Sequence, residues 1–347
     1  MRHPVSRLRT RALAVGLALA ASVLVPTGSA GAADQYEWAA LGDSYTSGLF
    51  VGDPLPALGD ASRDGCDRTT DAYPDVVERE LAEYPPGLPV NLTDVSCGAA
   101  TIADIATTRQ TPISPVQPPE GGWPAVDTQI ERAGLGDGTD IVTIGVGGNS
   151  LPFGDVLLKC LEQGVAGKSC REYYTNPPEG VESIGDRLAR VQDEYIEMLA
   201  GVHQAAPNAK VITVGYPAVL PENGTDCNRL SLNELGSITH ADVDWLRDEV
   251  LKPLNSTIQR VAEFFGDRYT DIYSSSVGHD ACQPAGTKWV EGICGDAADY
   301  WPTKLAGTLL NCGLIGKHVT LVHPNAESHA NAAAHVERAV RISLLER

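Results

Sequence analysis

The sequence predicts an α/β fold on a mostly parallel sheet, and three observations carry that prediction. Short apolar runs alternate with longer segments of helical periodicity. Two runs, "DIVTIGVG" at 140–147 and "AKVITVGY" at 209–216, are apolar on both faces, as central strands covered on each side must be. Between them, "VESIGDRLARVQDEYIEMLAGVHQAA" spaces apolar residues at helical intervals, with acids and arginines on the other face.

In chain order, the first segment is a leader. Arg2, Arg7, Arg9 and Arg11 precede an apolar run from Ala12 to Val25, and "TGSAGAADQ" then offers small residues for cleavage after Ala32 or Ala33. The apolar run falls short of the roughly 20 residues that span a bilayer, so a secretory signal peptide is expected rather than an anchor. The strands follow: "YEWAAL" from Tyr36, "PVNLTDV" at 89–95, the two apolar runs, and a weaker "RYTDIY" at 268–273. A second long helix fits "ADVDWLRDEVLKPLNSTIQRVAEFF", with a kink expected at Pro253. A third opens at Pro324 and Asn325, a good helix start, and closes the chain. Residues 107–124, with five prolines, and 274–321, rich in Gly and Cys, read as long loops, which often form functional rims.

Charge and cysteines bound the function. The chain carries 45 acidic against 26 basic residues, a net charge of −19, and the leader takes four arginines and no acid with it. Such a surface repels nucleic acid and anionic membranes and suits an exported protein. All eight cysteines, Cys66, Cys97, Cys160, Cys170, Cys227, Cys282, Cys294 and Cys312, lie beyond the leader. An even count in an exported chain reads as disulfides, and the close pairs a metal site wants are missing, so no metal is expected. Of the 105 possible pairings, order and proximity favour 66–97, 160–170, 227–282 and 294–312.

Three predicted strands end in small or polar residues: "GDSYTSG", "DVSCGAAT" and "GVGGNS". In a parallel sheet the carboxyl ends of all strands face one way, so these tails meet along the edge where ligands bind. A base is still missing. His323, in "TLVHPN" just before the last helix, is the best candidate. His203, His240, His329 and His335 sit in helical patterns, His318 is a modest rival, and His279 lies in a loop beside a cysteine.

"GDSYTSG", "SCGAAT", "GGNS" and "HPN", in this order, resemble the four sequence blocks of the SGNH, or GDSL-type, hydrolases. "GHDAC" followed by a tryptophan brings the chain nearer to secreted actinobacterial lipases and esterases of that family. The resemblance implies a three-layer α/β/α sandwich with a five-stranded, mostly parallel, flavodoxin-like sheet. With the signal peptide at 1–32, one hydrolase domain is expected over 33–347, the resemblance running from about Tyr36 to the last helix. By its blocks, Ser44 is the nucleophile and His323 the base. The oxyanion donors it implies are the N–H groups of Ser44 and Gly98 and the side-chain amide of Asn149. Asn149 also suits a simple turn after Gly147 and Gly148.

One departure matters. Many members carry Asp three residues before the histidine, where this chain has Thr320. The expectation is therefore a Ser44–His323 dyad whose imidazole is oriented by the main-chain carbonyl of Thr320. The G-x-S-x-G frame of the α/β-hydrolases is absent around Ser44 and elsewhere. The expected protein is a secreted serine esterase or lipase without cofactor, a monomer acting on a small-molecule or lipid ester without stable membrane insertion. A phospholipase or a carbohydrate or cell-wall O-acyl esterase is the alternative, and a non-catalytic binding protein on the same sheet comes last. Trp123 and Trp289 either line an acyl groove or cover the core.

Overall fold

The computed structural model describes residues 35–84 and 87–345; the expected leader lies outside them. Five strands form the central sheet: β1 (Tyr36–Gly42), β2 (Val90–Asp94), β3 (Ile141–Gly145), β4 (Lys210–Val214) and β5 (Arg268–Thr270). Their order is β2-β1-β3-β4-β5, and every pairing is parallel. This is the flavodoxin-like order, with its switch point between β1 and β3.

The alternation of side chains along the strands assigns the layers. Trp38, Ala40, Ile212 and Val214 face one way and pack with α2 (Tyr73–Glu83) and α5 (Ala326–Leu345), through Val77, Leu81, Val336 and Val340. Ala39, Leu41, Val142, Ile144 and Val211 face the other way, against α3 (Ile184–Ala205) and α4 (Lys252–Phe265), through Val191, Leu199, Leu254 and Ile258. Each fully buried side chain of this size contributes about 1.5–3 kcal/mol. These two clusters, more than helix propensity, hold the helices on the sheet.

Local signals place the helix ends. Ser183 caps α3 by accepting the Asp186 N–H, and the acid in that first turn complements the helix dipole. Asn325 accepts the Ser328 N–H at the start of α5. The disturbance expected at Pro253 takes a specific form. A helical segment, His240–Trp245, passes into a π-helical turn, Leu246–Leu251, before α4 begins. The Lys252 N–H reaches Arg247 O, five residues back. The wider turn makes room for a proline ring that would clash with a carbonyl four residues before it.

The loops are tied rather than loose. Disulfides join Cys66–Cys97, Cys160–Cys170, Cys227–Cys282 and Cys294–Cys312. The proline-rich loop sends Val116 into a small cluster with Phe50, Val51 and Trp301. Cys294–Gly295 pairs with His318–Val319 as a short antiparallel ladder leading into the loop before α5. Among the described residues no helix is long and apolar enough to cross a membrane.

Candidate active site

The loop after β1 begins at Gly42, which only glycine fits. A Cβ there would lie 2.6 Å from Gly145 O and 2.2 Å from Thr46 Oγ1. The buried Gln129 side chain holds both backbone groups of Gly42, accepting its N–H and donating to its carbonyl, each at 2.8 Å. The chain then turns into α1 (Ser44–Ser47), capped by Asp43, whose Oδ1 accepts the Tyr45 N–H at 2.9 Å. Gly48 ends this short helix in the left-handed region, φ 76°. Ser44 therefore stands at the first helical position over the tip of a central strand.

His323 reaches it from 279 residues away: Nε2 lies 2.8 Å from Ser44 Oγ. The other ring nitrogen, Nδ1, is 2.8 Å from Thr320 O and 3.2 Å from Leu321 O. A carbonyl can only accept, so Nδ1 carries the proton and Nε2 offers its lone pair to the serine hydroxyl. Among the described residues no carboxylate is hydrogen-bonded to the ring. Burial lowers the imidazole's pKa below its usual 6.5, and the two carbonyls oppose that only in part. The ring is therefore neutral near pH 7, with its Nε2 lone pair facing the Ser44 hydroxyl.

The turn that aims this ring is strained. Leu321 and Val322 both adopt positive φ, 44° and 58°, which is a genuine outlier for a β-branched residue. Strain of this kind persists only where the surroundings over-determine it. Here the N–H groups of Thr320 and Leu321 donate to Ile293 O and that of Val322 to Gly292 O. From the Ser44 side, the Tyr45 hydroxyl donates to Val322 O at 2.7 Å. The Tyr45 ring also packs 5.0 Å from the imidazole. One residue thus grips both halves of the pair.

The remaining expected donors have mixed geometry. The Ser44 N–H occupies a helix position that has no intrahelical acceptor. Asn149 follows β3 and donates one amide hydrogen to Ala100 O at 2.9 Å, leaving its second. The Gly98 N–H is engaged: it donates to Cys66 O at 2.9 Å. Glycine at 98 has a packing reason as well, since a Cβ would sit 2.9 Å from Leu49 Cδ2.

Four of the other histidines have separate partners. His329 is buried against α2, accepting the Tyr73 N–H at Nδ1, and burial pushes its pKa down to about 3. His279 stacks on Trp289 at 3.6 Å, and its Nδ1 pairs with Thr287 O. His203 pairs with Asp267, and His240 with Cys227 O. Trp123 packs over Gly65, with its Nε1 on Ser114 O. Cys227, Glu234 and Cys282 cluster closely, but the two sulfurs are joined to each other and leave no thiolate for a metal. Sequence reasoning missed Gln129, the Tyr45 hydroxyl and Tyr216, the last of which bridges Asp43 and Gly148. No motif marks these residues, because their partners are distant in the chain.

The chain is similar to known proteins over most of its length. The model of the GDSL-like lipase/acylhydrolase family matches residues 40–330. Lipase 2 of Streptomyces coelicolor is 31% identical over 331 residues, 93% of this chain and 91% of that protein. An esterase of Streptomyces scabiei is 29% identical over 302 residues, 81% and 82% of the two chains. Among solved structures, phospholipase A1 from Streptomyces albidoflavus NA297 shares the fold, with a TM-score of 0.52 at 21% identity, covering 89% of this chain and 99% of that one. The chain belongs to the GDSL-like lipase/acylhydrolase family and is a carboxylic-ester hydrolase.

Proposed function

We propose that the enzyme is an exported serine esterase or lipase working through a Ser44–His323 dyad. The observation that carries this reading is the ring's two-sided contact: Nε2 at 2.8 Å from Ser44 Oγ and Nδ1 at 2.8 Å from Thr320 O. Ser44 Oγ attacks the ester carbonyl carbon while its proton passes to Nε2. Charge gathers on the carbonyl oxygen, and the donors for it are the Ser44 N–H and the free hydrogen of Asn149 Nδ2. The Gly98 N–H joins them only when its bond to Cys66 O is shared or opened. As the tetrahedral adduct collapses, the C–O bond to the alcohol breaks and Nε2–H returns the proton to the departing oxygen. Water then repeats the sequence on the acyl-enzyme, giving its proton to Nε2, and the carboxylic acid leaves with Ser44 restored.

The neutral Thr320 carbonyl fixes the tautomer but stabilises imidazolium less than a carboxylate does. Export is supported by the leader and by four disulfides, which persist in oxidising compartments. The relatives' names, lipase and esterase, favour simple carboxylic esters. Hydrolysis of p-nitrophenyl esters from acetate to palmitate, by wild type and Ser44→Ala, tests the reading. Activity that depends on Ser44 is expected. A folded protein inactive on every chain length, or Ser44→Ala retaining activity, overturns it.

A further inference from the structure

We infer that Tyr216 is a positioning residue for the reaction, setting the spacing between the nucleophile loop and the loop that carries Asn149. The inference rests on the Ser44–His323 reading above. Tyr216 follows β4, so the fourth strand tip of the site comes from a segment with no motif. Its hydroxyl does two things at once. It donates to Asp43 Oδ2, and it accepts the Gly148 N–H at 2.7 Å. Asp43 is the cap of α1, and Gly148 is the immediate neighbour of Asn149. One phenolic oxygen therefore joins the residue before Ser44 to the residue before Asn149.

The post that carries this oxygen is itself fixed. The Tyr216 backbone is held on both sides by Asn255 of α4: Oδ1 accepts its N–H at 2.8 Å, and Nδ2 donates to its carbonyl at 2.9 Å. Tyr216 is 5% exposed and Asp43 1%, so water does not stand in readily for either partner. The other carboxylate oxygen of Asp43 takes the Tyr45 N–H, and the Tyr45 ring meets the Tyr216 ring edge-on at 5.1 Å. Gly148 is closely approached as well, since an added Cβ would lie 3.3 Å from the Tyr216 oxygen. The Asp43 N–H also donates to Gly145 O at 2.9 Å, which holds the tip of β3; without the hydroxyl, Gly148 beyond that tip loses its own tie to Asp43. The distance between attacking oxygen and oxyanion donor is then free to drift, and catalysis is sensitive to drifts of about 1 Å.

The test is a double-mutant cycle of Tyr216→Phe and Asn149→Ala, read as kcat and KM on a p-nitrophenyl ester, with thermal unfolding as the fold check. Tyr216→Phe is expected to lower kcat about 10- to 100-fold with KM within about threefold, a fraction of what losing a whole oxyanion donor costs. In the Asn149→Ala background the same change is expected to cost less than about threefold, because the group it positions is gone. Penalties that multiply, or a kcat unchanged by Tyr216→Phe, overturn the inference. If Tyr216→Phe does not fold, Asp43→Asn, which replaces the carboxyl acceptor of the same link by an amide, takes its place in the cycle with the same expectations. Failure of the dyad reading shows separately, as activity retained by Ser44→Ala.

Discussion

The strained turn before His323 yields the sharpest prediction, through Tyr45→Phe. The change removes one oxygen and keeps the ring that packs on the imidazole and on Tyr216. That oxygen donates to Val322 O at 2.7 Å, and Val322 is 1% exposed. A buried carbonyl left without its donor costs about 1–3 kcal/mol. The turn has reason to yield, because Leu321 and Val322 each hold a left-handed conformation that stores about 1–3 kcal/mol. Relaxation there moves Thr320 O and the imidazole together, away from Ser44. At about 1.4 kcal/mol per factor of ten, the loss corresponds to roughly 5- to 150-fold in kcat/KM. Steady-state kinetics on p-nitrophenyl butyrate with a denaturation curve for each protein provides the assay. Full kcat/KM in a folded Tyr45→Phe enzyme, or a loss confined to KM, refutes the reasoning.

Other consequences follow from the same contacts. Because burial lowers the His323 pKa and among the described residues no carboxylate raises it, kcat/KM should rise with pH through a midpoint below about 6.5 and be flat near neutrality; a midpoint above 7 would point to a carboxylate partner. Gly42→Ala places a Cβ 2.6 Å from Gly145 O, between two central strands, and should cost at least about 1–3 kcal/mol in urea unfolding; an unchanged midpoint contradicts the packing account. Replacing Cys227 and Cys282 together by Ser opens a loop of 55 residues, for a loss of about 4 kcal/mol by chain entropy. Neither cysteine backbone donates to Ser44, Asn149 or His323, so kcat of the folded variant should hold; a fall in kcat without a fall in stability would place that bridge in the site.

Much of the fold is legible in the sequence because its signals are local. The two doubly apolar runs are β3 and β4, and the acid-flanked periodic segment is α3. The pairing of eight cysteines by order and proximity matches the four bridges, since each closes a loop within one stretch of chain. Ser44 and His323 stand out because small-residue motifs at strand ends are visible without coordinates. What escapes is long-range or conformational. Tyr45 looks like one more residue in a hydroxyl-rich turn, yet its partner is 277 residues away. Tyr216 reads as the last residue of a strand, and its task is set by residues 68 and 173 positions distant. Nothing in "TLVHPN" announces two left-handed residues, because Leu and Val are poor markers of that region. Gly98 was identified from its block, but the engagement of its N–H by Cys66 O follows from how the disulfide loop closes. Pro253 signalled a disturbance without saying that a π-helical turn would absorb it.

The most direct measurement on the dyad is covalent trapping. Wild type and His323→Ala are incubated with a p-nitrophenyl alkylphosphonate ester, release of p-nitrophenol is timed, and the adduct is mapped by mass spectrometry. The account predicts one phosphonyl group per chain, carried by Ser44, with the labelling rate falling by orders of magnitude when the imidazole is removed. An adduct on any other residue, or labelling of Ser44 that proceeds as fast without His323, contradicts it.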